Sequence, residues 1–362
     1  MNKTINNQQY QNSLIITCAG SQVIPEIINL LRSYNGIDFN IIGVDVKKRE
    51  LSIGSYFSDK FYQVPKGTDD NYIDAIIDII KRENVFLILP GSDEEVLVLS
   101  KYKEKLKNNY NCNICSSDYL TTMTLINKYK MLVELSSNSL NTGKYSLINN
   151  SQDIYEFAEK IDYPNNNFII KPMEGSGSKG LKIVREDINL LDSFYSSKNF
   201  NIELKQLINF LDAHPEEYKK LFLMEYFPGD KFSSDILVSN NETRCVITRN
   251  NGPLPKTNPP TQIADLVTLD KIDKYINQLL KLFDIDYFVQ IELGLDKNEN
   301  LAFIESNPRL DATLPITLGY GVNYYHQIIK YAIDGDMDKN IRLKNNKKIR
   351  YYRYWQSHFE EV

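Results

Sequence analysis

The sequence predicts an α/β N-terminal domain with a parallel sheet, followed by two α+β lobes. Strand and helix patterns alternate through the first third of the chain, which is typical of a doubly wound parallel sheet. The centre instead carries short strand patterns joined by turn residues, which is typical of antiparallel hairpins. The length of 362 residues fits roughly two or three domains of ordinary size. We place their bounds at 1–117, 118–225 and 226–362.

The predicted N-terminal domain starts on a short apolar run and ends near residue 117. Continuous apolar runs predict buried strands, and apolar residues at helical spacing predict helices. The strands are predicted at 13–18, 39–44 and 85–89, and the helices at 23–33 and 72–81. Pro90 and Gly91 end the third strand. Ser92 is expected to cap the next helix, whose acidic first turn suits the helix dipole, with contact to a ligand as the alternative. Residues 19–21, Asp45 and 91–93 stand at the carboxyl ends of the strands, where ligands of open α/β sheets bind.

The two lobes are predicted from shorter segments. One helix is predicted over 119–136, with Lys128 and Lys130 inside it, and a polar helix over 190–220. Further strands are predicted at 168–171, 181–184, 221–226, 232–238, 244–248, 288–293 and 301–305, and helices at 272–283 and 324–333. Four prolines mark 250–262 as a loop. The tail over 341–354 predicts an exposed basic face followed by an aromatic strand packed on the core.

Composition and charge exclude several classes of protein. Hydrophobic residues make up 42% of the chain and charged residues 25%, so it is neither disordered nor fibrous. A net charge of −5 argues against a broad nucleic-acid-binding face. The polar N-terminus carries no signal peptide, and the apolar runs are far shorter than the ~20 residues that span a bilayer. We therefore expect a soluble, cytoplasmic protein with no nucleic-acid or membrane partner.

The four cysteines form no regular framework. Cys112 and Cys115 make one C-x-x-C pair, but no second pair of ligands stands at matching spacing for zinc. A redox or structural role for this pair stays open. Free thiols in a reducing compartment are the simpler interpretation.

A glycine-rich loop is the strongest local feature. Gly175, Gly177 and Gly180 satisfy the G-x-G-x-x-G pattern, but a strand pattern follows them, whereas the dinucleotide-binding loop must open a helix. No Lys-Ser or Lys-Thr pair follows the last glycine, so a Walker A loop is excluded. None of the three histidines stands in the His-Arg-Asp motif of protein kinases. A flap whose backbone amides cover phosphates is favoured, with a plain surface hairpin as the alternative.

A polar cluster ends two neighbouring strand patterns. Gln290 and Glu292 point to the same face of one strand, because side chains alternate. Glu305 ends the next strand, Asn307 lies two residues on, and Arg309 follows. Carboxylate and amide oxygens suit Mg²⁺, and an arginine fork suits phosphate. Together with the flap, this cluster favours binding of a Mg·nucleotide over a merely solvated strand face.

These segments resemble the ATP-grasp family. Residues 171–180 resemble its phosphate-covering flap, 223–229 resemble the hinge that holds adenine, and Glu305-Ser306-Asn307-Pro308-Arg309 resembles its E-x-N-P-R metal signature. The chain is most similar to single-copy relatives of the large chain of carbamoyl-phosphate synthase. The resemblance implies two α+β ATP-grasp lobes behind a preceding α/β domain.

The resemblance also implies site residues. The ATP phosphates would contact Lys128, Lys171 and the backbone amides of Ser176, Gly177 and Ser178. The adenine would contact Glu225 and Tyr226. The metal would be bound by Glu305, Asn307 and either Gln290 or Glu292, and Arg309 would stabilise the transferred phosphoryl group. Relatives place a ribose-binding Glu where this chain has Asp230 and Lys231. Asp230 either replaces that Glu or the contact is lost.

The implied activity is ATP-dependent ligation of a carboxylate to an amine (or thiol) through an acylphosphate, releasing ADP and phosphate. Its cofactors would be ATP and Mg²⁺, with Mn²⁺ as an alternative, and its acid an amino acid, peptide or sugar acid. Arg249, with Arg244 as the weaker candidate, is expected to meet the substrate carboxylate; an ordinary surface arginine is the alternative. Asp311 belongs either to an unusual acceptor pocket or to the surface. A homodimer fits the resemblance.

Two other functions stay open. The chain could be a nucleotide-binding relative without ligase activity, although Lys171, Glu305 and Asn307 are all present. An NAD-linked N-terminal domain, with Asp45 on a ribose, is disfavoured because Gly20 is the only glycine of its first turn.

Overall fold

A computed structural model describes residues 12–175, 179–189, 200–251, 261–344, 349–352 and 356–359. Its strands form three sheets, of five, five and six strands. The predicted fold class, a parallel α/β domain followed by two α+β lobes, is confirmed.

The first sheet is parallel throughout, with the order β3-β2-β1-β4-β5. Its strands are β1 (Ser13–Ile16), β2 (Asn40–Asp45), β3 (Lys60–Gln63), β4 (Val85–Leu89) and β5 (Asn113–Ile114), and its helices are α1 (Ile24–Arg32), α2 (Tyr72–Glu83), α3 (Asp93–Lys101) and α4 (Lys103–Tyr110). The strand order reverses at β1, because the chain runs outward through β2 and β3 and then returns to β4 on the other side. Ligands of open α/β sheets bind where the order reverses, at the carboxyl ends of the strands.

The second sheet has the order β6-β10-β7-β8-β9 and is antiparallel except between β8 and β9. It comprises β6 (Tyr145–Leu147), β7 (Phe168–Pro172), β8 (Lys182–Val184), β9 (Asn201–Ile202) and β10 (Leu221–Glu225). The helices of this part of the chain are α5 (Tyr119–Ile126), α6 (Lys128–Ser137), α7 (Ser151–Lys160) and α8 (Leu204–Ala213).

The third sheet has the order β15-β14-β11-β12-β13-β16 and is antiparallel. It comprises β11 (Lys231–Ser239), β12 (Glu242–Asn250), β13 (Thr261–Leu266), β14 (Tyr287–Leu295), β15 (Leu301–Asn307) and β16 (Ile349–Tyr352), with α9 (Asp270–Leu280) and α10 (Tyr324–Asp334). Short 3₁₀ segments at Arg49–Leu51, Ile53–Tyr56, Pro215–Lys220 and Leu314–Tyr320 connect elements of the three parts.

Two predicted helices differ from the structure. The single helix predicted over 119–136 is two helices, α5 and α6. The break falls at Asn127, whose side-chain oxygen accepts a hydrogen bond from the Lys130 amide at 2.9 Å and so starts a new helix. The polar helix predicted over 190–220 is confirmed in its described part only over 204–213, where α8 lies between β9 and a 3₁₀ turn. Residues 190–199 lie outside the described residues.

Shared cores join the three parts. Apolar residues of β1, β4 and α1 pack in one cluster with side chains from β11, β12 and α10, so the N-terminal sheet is braced against the third sheet. A second cluster joins α5, α6 and β10 to the third sheet. The strand predicted in the tail is present as β16, while 353–355 lie outside the described residues. Within the described residues, no helix combines the length and apolar character needed to cross a membrane.

The cysteines support a test of the C-x-x-C pair. All four are free, and Cys112 and Cys115 are buried. Burial raises the pKa of the Cys112 thiol to about 12 and also raises the pKa of Cys115 and Cys245. Because the thiolate is the reactive form, we expect an aromatic disulfide reagent to titrate fewer than one thiol per chain within minutes in native protein. All four should react in guanidinium chloride, whereas two fast native thiols would favour the redox interpretation.

Candidate active site between the second and third sheets

The strands β14 and β15 bring the predicted acidic cluster together. Their register places Glu292 opposite Glu305, and Gln290 opposite Asn307. Directly opposite residues share a face, so all four side chains project from the same side of the hairpin. The sequence prediction that these residues lie together is therefore confirmed by the register, whereas their roles stay a prediction.

The two carboxylates of this hairpin lie in a partly buried site. Burial, together with the charges of Glu305 and Asp311, raises the pKa of Glu292 to about 8, although Arg249 and Lys171 oppose the shift. A bound cation would relieve this repulsion between carboxylates. Among the described residues, no group of three or more His, Cys, Asp and Glu side chains could hold a metal ion. Two carboxylates and an amide oxygen nevertheless fit Mg²⁺, which keeps water and phosphate oxygens as its other ligands.

Hydrogen bonds fix the side-chain amides of Gln290 and Asn307. Gln290 donates its Nε2 to Asp235 Oδ1 at 2.8 Å, and its Oε1 accepts from Asn307 Nδ2 at 3.3 Å. Asn307 Oδ1 accepts from Arg309 Nη2 at 3.4 Å. The oxygen of Gln290 is thus turned toward Asn307, while the oxygen of Asn307 is turned toward Arg309.

Lys171 extends from the second sheet to this hairpin. Its side chain is only 3% exposed on β7, and its Nζ donates to the carbonyl oxygen of Ile304 on β15 at 3.0 Å. The same Nζ lies 5.6 Å from the centre of the Phe222 ring. Burial lowers the pKa of Lys171 to about 8, and the charges of Glu305 and Glu292 oppose that shift. A buried amine thus faces the carboxylate pair across the junction of the two sheets.

Lys128 is tied to the start of the glycine-rich loop. Its Nζ donates to the carbonyl oxygen of Gly175, and its backbone amide donates to the carbonyl oxygen of Met173 at 2.8 Å. The predicted phosphate contacts at Ser176, Gly177 and Ser178 lie outside the described residues.

The predicted hinge residues already have partners. Glu225 Oε2 accepts from the Lys144 amide at 3.0 Å and so closes the turn before β6. The Tyr226 ring lies beneath Lys231, with Nζ 5.7 Å from its centre. Asp230 Oδ2 accepts from Asn250 Nδ2 at 2.8 Å. Asp230 adjoins the acidic hairpin, because its carbonyl oxygen accepts from the Leu295 amide of β14 at 3.0 Å.

Arg249 is buried on the same sheet face as the acidic pair. Strand register runs from Arg249 through Ser233 and Glu292 to Glu305. The Arg249 side chain is held by Asp235, at 3.0 Å and 3.3 Å, and by the Thr313 hydroxyl at 2.9 Å. With 3% of its surface exposed, Arg249 is not a surface arginine, so that alternative is wrong.

Arg244, the weaker candidate, is held elsewhere. Its guanidinium pairs with Glu242 at 2.6 Å and with Asp336 at 2.8 Å. Two protein carboxylates thus already hold Arg244, and its contact with a substrate carboxylate stays a prediction.

Arg309 connects the hairpin to the N-terminal domain. Its Nε donates to Asp93 Oδ1 at 2.9 Å, and its Nη1 lies 3.9 Å from Asp311 Oδ2. Asp93 opens α3, which Ser92 caps as predicted by accepting from the Glu95 amide. Sequence reasoning placed Asp93 at a strand end that could meet a substrate, but it did not predict the contact with Arg309. The one available signal for Asp93 was its place just after a Pro-Gly break at the carboxyl end of a strand.

Two family models match the chain. The model described as "PylC-like, N-terminal domain" matches residues 14–114. The model described as "ATP-grasp in the biosynthetic pathway with Ter operon" matches residues 217–354. The first covers the parallel sheet, and the second covers the hinge, the acidic hairpin and Arg309.

Among curated proteins, the pyruvate carboxylase of Staphylococcus aureus is 24% identical over 338 residues, which cover 89% of this chain and 28% of that protein. The chain thus spans about a quarter of the length of that relative. Among solved structures, the N5-carboxyaminoimidazole synthetase of Staphylococcus aureus in complex with ADP has a TM-score of 0.66 and 15% identity, covering 94% of this chain and 81% of that one. The biotin carboxylase domain dimer of Hydrogenobacter thermophilus 2-oxoglutarate carboxylase, with MgADP and bicarbonate, has a TM-score of 0.63 and 18% identity, covering 92% and 71%.

Both structures show the fold that the chain shares with them, a parallel domain followed by two lobes. The family models add its N-terminal and C-terminal sequence patterns. Residues 217–354 therefore carry the sequence pattern of an ATP-grasp family, and the whole chain shares its fold with these ligase structures.

Proposed function

We propose that this protein is an ATP-dependent ligase that joins a carboxylate to an amine through an acylphosphate. The observation that carries the proposal is the Glu292–Glu305 pair facing buried Lys171, beside Arg309. This arrangement combines oxygen ligands for a cation with positive groups for phosphate in one partly dehydrated site. An amino acid, peptide or sugar acid is the proposed source of the carboxylate.

Glu292, Glu305 and Asn307 are the proposed metal ligands. Gln290 is better suited to orienting Asn307, because its own oxygen accepts from that amide and its nitrogen is fixed on Asp235. Bound Mg²⁺, or Mn²⁺ in its place, would neutralise phosphate charge and hold the ATP phosphates in line for transfer.

The protein's own cations would position the reactants. Lys128 and Lys171 would bind the phosphates, with the amides of Ser176, Gly177 and Ser178 closing over them. A carboxylate oxygen then bonds to the γ-phosphorus while the bond from that phosphorus to the ADP oxygen breaks. Arg309 would stabilise the charge that develops on the transferred group. The amine next bonds to the acyl carbon, loses a proton, and expels phosphate.

The nucleoside end is proposed to lie at the hinge. Because Glu225 is already bonded to the Lys144 amide, backbone groups beside it and the Tyr226 ring are the proposed adenine contacts. Asp230 is the proposed ribose contact, which requires it to release Asn250. Arg249 is proposed to contact the substrate while its guanidinium stays bonded to Asp235 and Thr313.

Domain bounds of 1–117, 118–225 and 226–362 are kept as a proposal, as are a homodimer and a cytoplasmic location.

A nucleotide-product assay tests the proposal. The protein, Mg²⁺ and ATP are incubated with pools of amino acids, peptides or sugar acids together with pooled amines, and ADP is separated from AMP by chromatography. Acid-dependent release of ADP and phosphate is expected. Release of AMP and pyrophosphate would establish adenylation instead. ATP binding without turnover in any pool would favour the nucleotide-binding relative that lacks ligase activity.

Asp93 is predicted to position Arg309. Substitution Asp93→Asn removes the charge that fixes the guanidinium and should lower kcat by about 10-fold, equivalent to about 1.4 kcal/mol in the barrier, with little change in the KM for ATP. The measurement is steady-state ADP release. Glu94→Gln, an exposed residue in the same helical turn, is the matched control and should be neutral. Equal rates for Asp93→Asn and the control would remove this role.

A further inference from the structure

A cavity of about 270 Å³ lies where the strand order of the first sheet reverses. Its walls come from the carboxyl ends of β1 and β4, from α1, and from the segment 309–312 that follows the acidic hairpin. It is slightly smaller than the roughly 300–1,000 Å³ typical of sites for drug-sized ligands. The cavity therefore suits a small metabolite, and Arg309 connects it directly to the proposed phosphoryl-transfer site.

The end of the cavity near the hairpin carries both signs of charge. Arg309 uses Nε on Asp93 and Nη2 on Asn307, while Nη1 stands 3.9 Å from Asp311 Oδ2, too far for a hydrogen bond. Asp311 Oδ1 is held by the Thr313 amide at 2.7 Å. One guanidinium nitrogen and one carboxylate oxygen thus stand side by side. This pair matches a ligand whose carboxylate and ammonium groups sit on the same carbon.

The rest of the cavity is mainly apolar. Ile16 and Leu89 contribute from the strands, and Leu310 contributes from the opposite wall. Ile24 and Ile27 of α1 and the N-cap residue Val23 line the rest. Aliphatic side chains of this kind favour an apolar group, because burial releases its surface from water. A sugar acid or a peptide with polar side chains would leave hydroxyl or amide groups unpaired against them.

The backbone around the cavity is held in an unusual conformation. Cys18, which lines it, has a φ of 54°, in the left-handed region that side chains other than glycine rarely adopt. Its thiol donates to Glu95 Oε2 at 3.1 Å, and the Thr17 hydroxyl donates to the same oxygen. A β-carbon at Gly91 would lie 2.9 Å from Cys18 Cβ, so only glycine permits this approach of the two strand ends. Such strain persists where the surroundings enforce it, often at ligand sites.

We infer that this cavity binds an α-amino acid with an aliphatic side chain, its carboxylate on Arg309, its ammonium on Asp311 and its side chain between α1 and Leu310. The inference rests on the proposed function, in that this carboxylate is the one placed for phosphorylation. The α-amine cannot attack its own acyl carbon, because that would close a three-membered ring, so a separate amine supplies the nitrogen of the new bond.

Calorimetry on the full chain with Mg·ADP present tests the site without requiring turnover. The probes are leucine and valine in both enantiomers, 4-methylpentanoate, which lacks the ammonium, and 3-methylbutylamine, which lacks the carboxylate. We expect at least one amino acid to bind at least tenfold more tightly than either truncated probe. Absence of amino-acid binding, or equal binding of 4-methylpentanoate, overturns the inference.

Three variants locate the binding. Val23→Phe fills the cavity and should weaken amino-acid binding at least tenfold, whereas Leu30→Phe, on the same helix but outside the lining, should not. Asp311→Asn should weaken binding of the amino acid at least tenfold and leave binding of 4-methylpentanoate unchanged. Amino-acid binding that is insensitive to both Val23→Phe and Asp311→Asn places the ligand elsewhere and overturns the inference.

The nucleotide-product assay separates the two proposals. Amino-acid binding that is lost in Val23→Phe, without ADP release in any pool, supports the site and counts against the ligase. ADP release that depends on another class of acid, with no binding of an aliphatic amino acid, supports the ligase and overturns the inference.

Discussion

Glu305→Gln is expected to lower Mg²⁺-dependent ADP release by about 100-fold or more, because a charged ligand of the proposed metal is lost. The change keeps the size of the side chain and removes only its charge. In the metal-free Glu305→Gln variant the neutral side chain at position 305 no longer repels the Glu292 carboxylate, so the pKa of Glu292 should fall toward its ordinary value. The thermal midpoint of the metal-free protein should therefore not decrease.

The control is Glu299→Gln in the turn of the same hairpin, which is exposed. It should turn over at the wild-type rate. Turnover of Glu305→Gln within a factor of two of this control would contradict the metal assignment. A lowered thermal midpoint would instead show that Glu305 supports the fold, and Glu305→Asp would then be the variant to compare.

Lys171→Met is the second large expected effect. Methionine keeps an unbranched, buried side chain but removes the ammonium that interacts with the carboxylate pair. We expect ADP release to fall by about 100-fold or more, as when one preorganised donor to a developing charge is removed. Burial already disfavours the lysine charge, which is why its pKa is lowered to about 8. The substitution also removes the donor to the Ile304 carbonyl and a cation beside partly buried carboxylates, so the free energy of unfolding should fall. Activity is therefore compared at a temperature at which the variant and its control are both folded.

Lys220→Met provides the comparison, because Lys220 is a solvent-exposed lysine paired with Glu217 at 2.6 Å. Surface pairs of this kind contribute about 0–1 kcal/mol, so its activity should be unchanged. If Lys171→Met retained the wild-type kcat/KM for ATP, Lys171 would not belong to the active site.

The parts of the site that sequence could predict are local. Glu305, Asn307 and Arg309 stand within five residues at a strand end, and Gln290 and Glu292 alternate on one strand. Their chemistry follows from residue type and from the two-residue period of a strand. The parallel sheet of the first domain could also be predicted, because strand and helix patterns alternate along that part of the chain.

The contacts that sequence could not predict are distant along the chain. Arg309 meets Asp93 across 216 positions, and Lys171 meets Ile304 across 133. Neither spacing leaves a periodic pattern. Arg249 precedes a proline-rich loop, so the sequence left open that it is an exposed surface arginine. In the structure the register of β11 and β12 brings it to Asp235 and buries it.

The shortest strands could not be predicted from the sequence either. β3, β6 and β9 contain four, three and two residues, too few for either hydrophobic period to show. The break at Asn127 was hidden for a different reason, because helical spacing continues through it and only the cap of the second helix interrupts the chain. This break places Lys128 at the start of α6, next to the glycine-rich loop.

The central claim is that the chain activates a carboxylate by phosphorylating it, and an isotope experiment tests it most directly. Amino acids whose carboxylates carry ¹⁸O are incubated with the protein, Mg·ATP and pooled amines, and the released phosphate is analysed by mass spectrometry. One ¹⁸O atom per phosphate is expected, because the carboxylate oxygen that attacks phosphorus leaves with it. Unlabelled phosphate alongside a ligated product, or ¹⁸O recovered in AMP, would contradict the account.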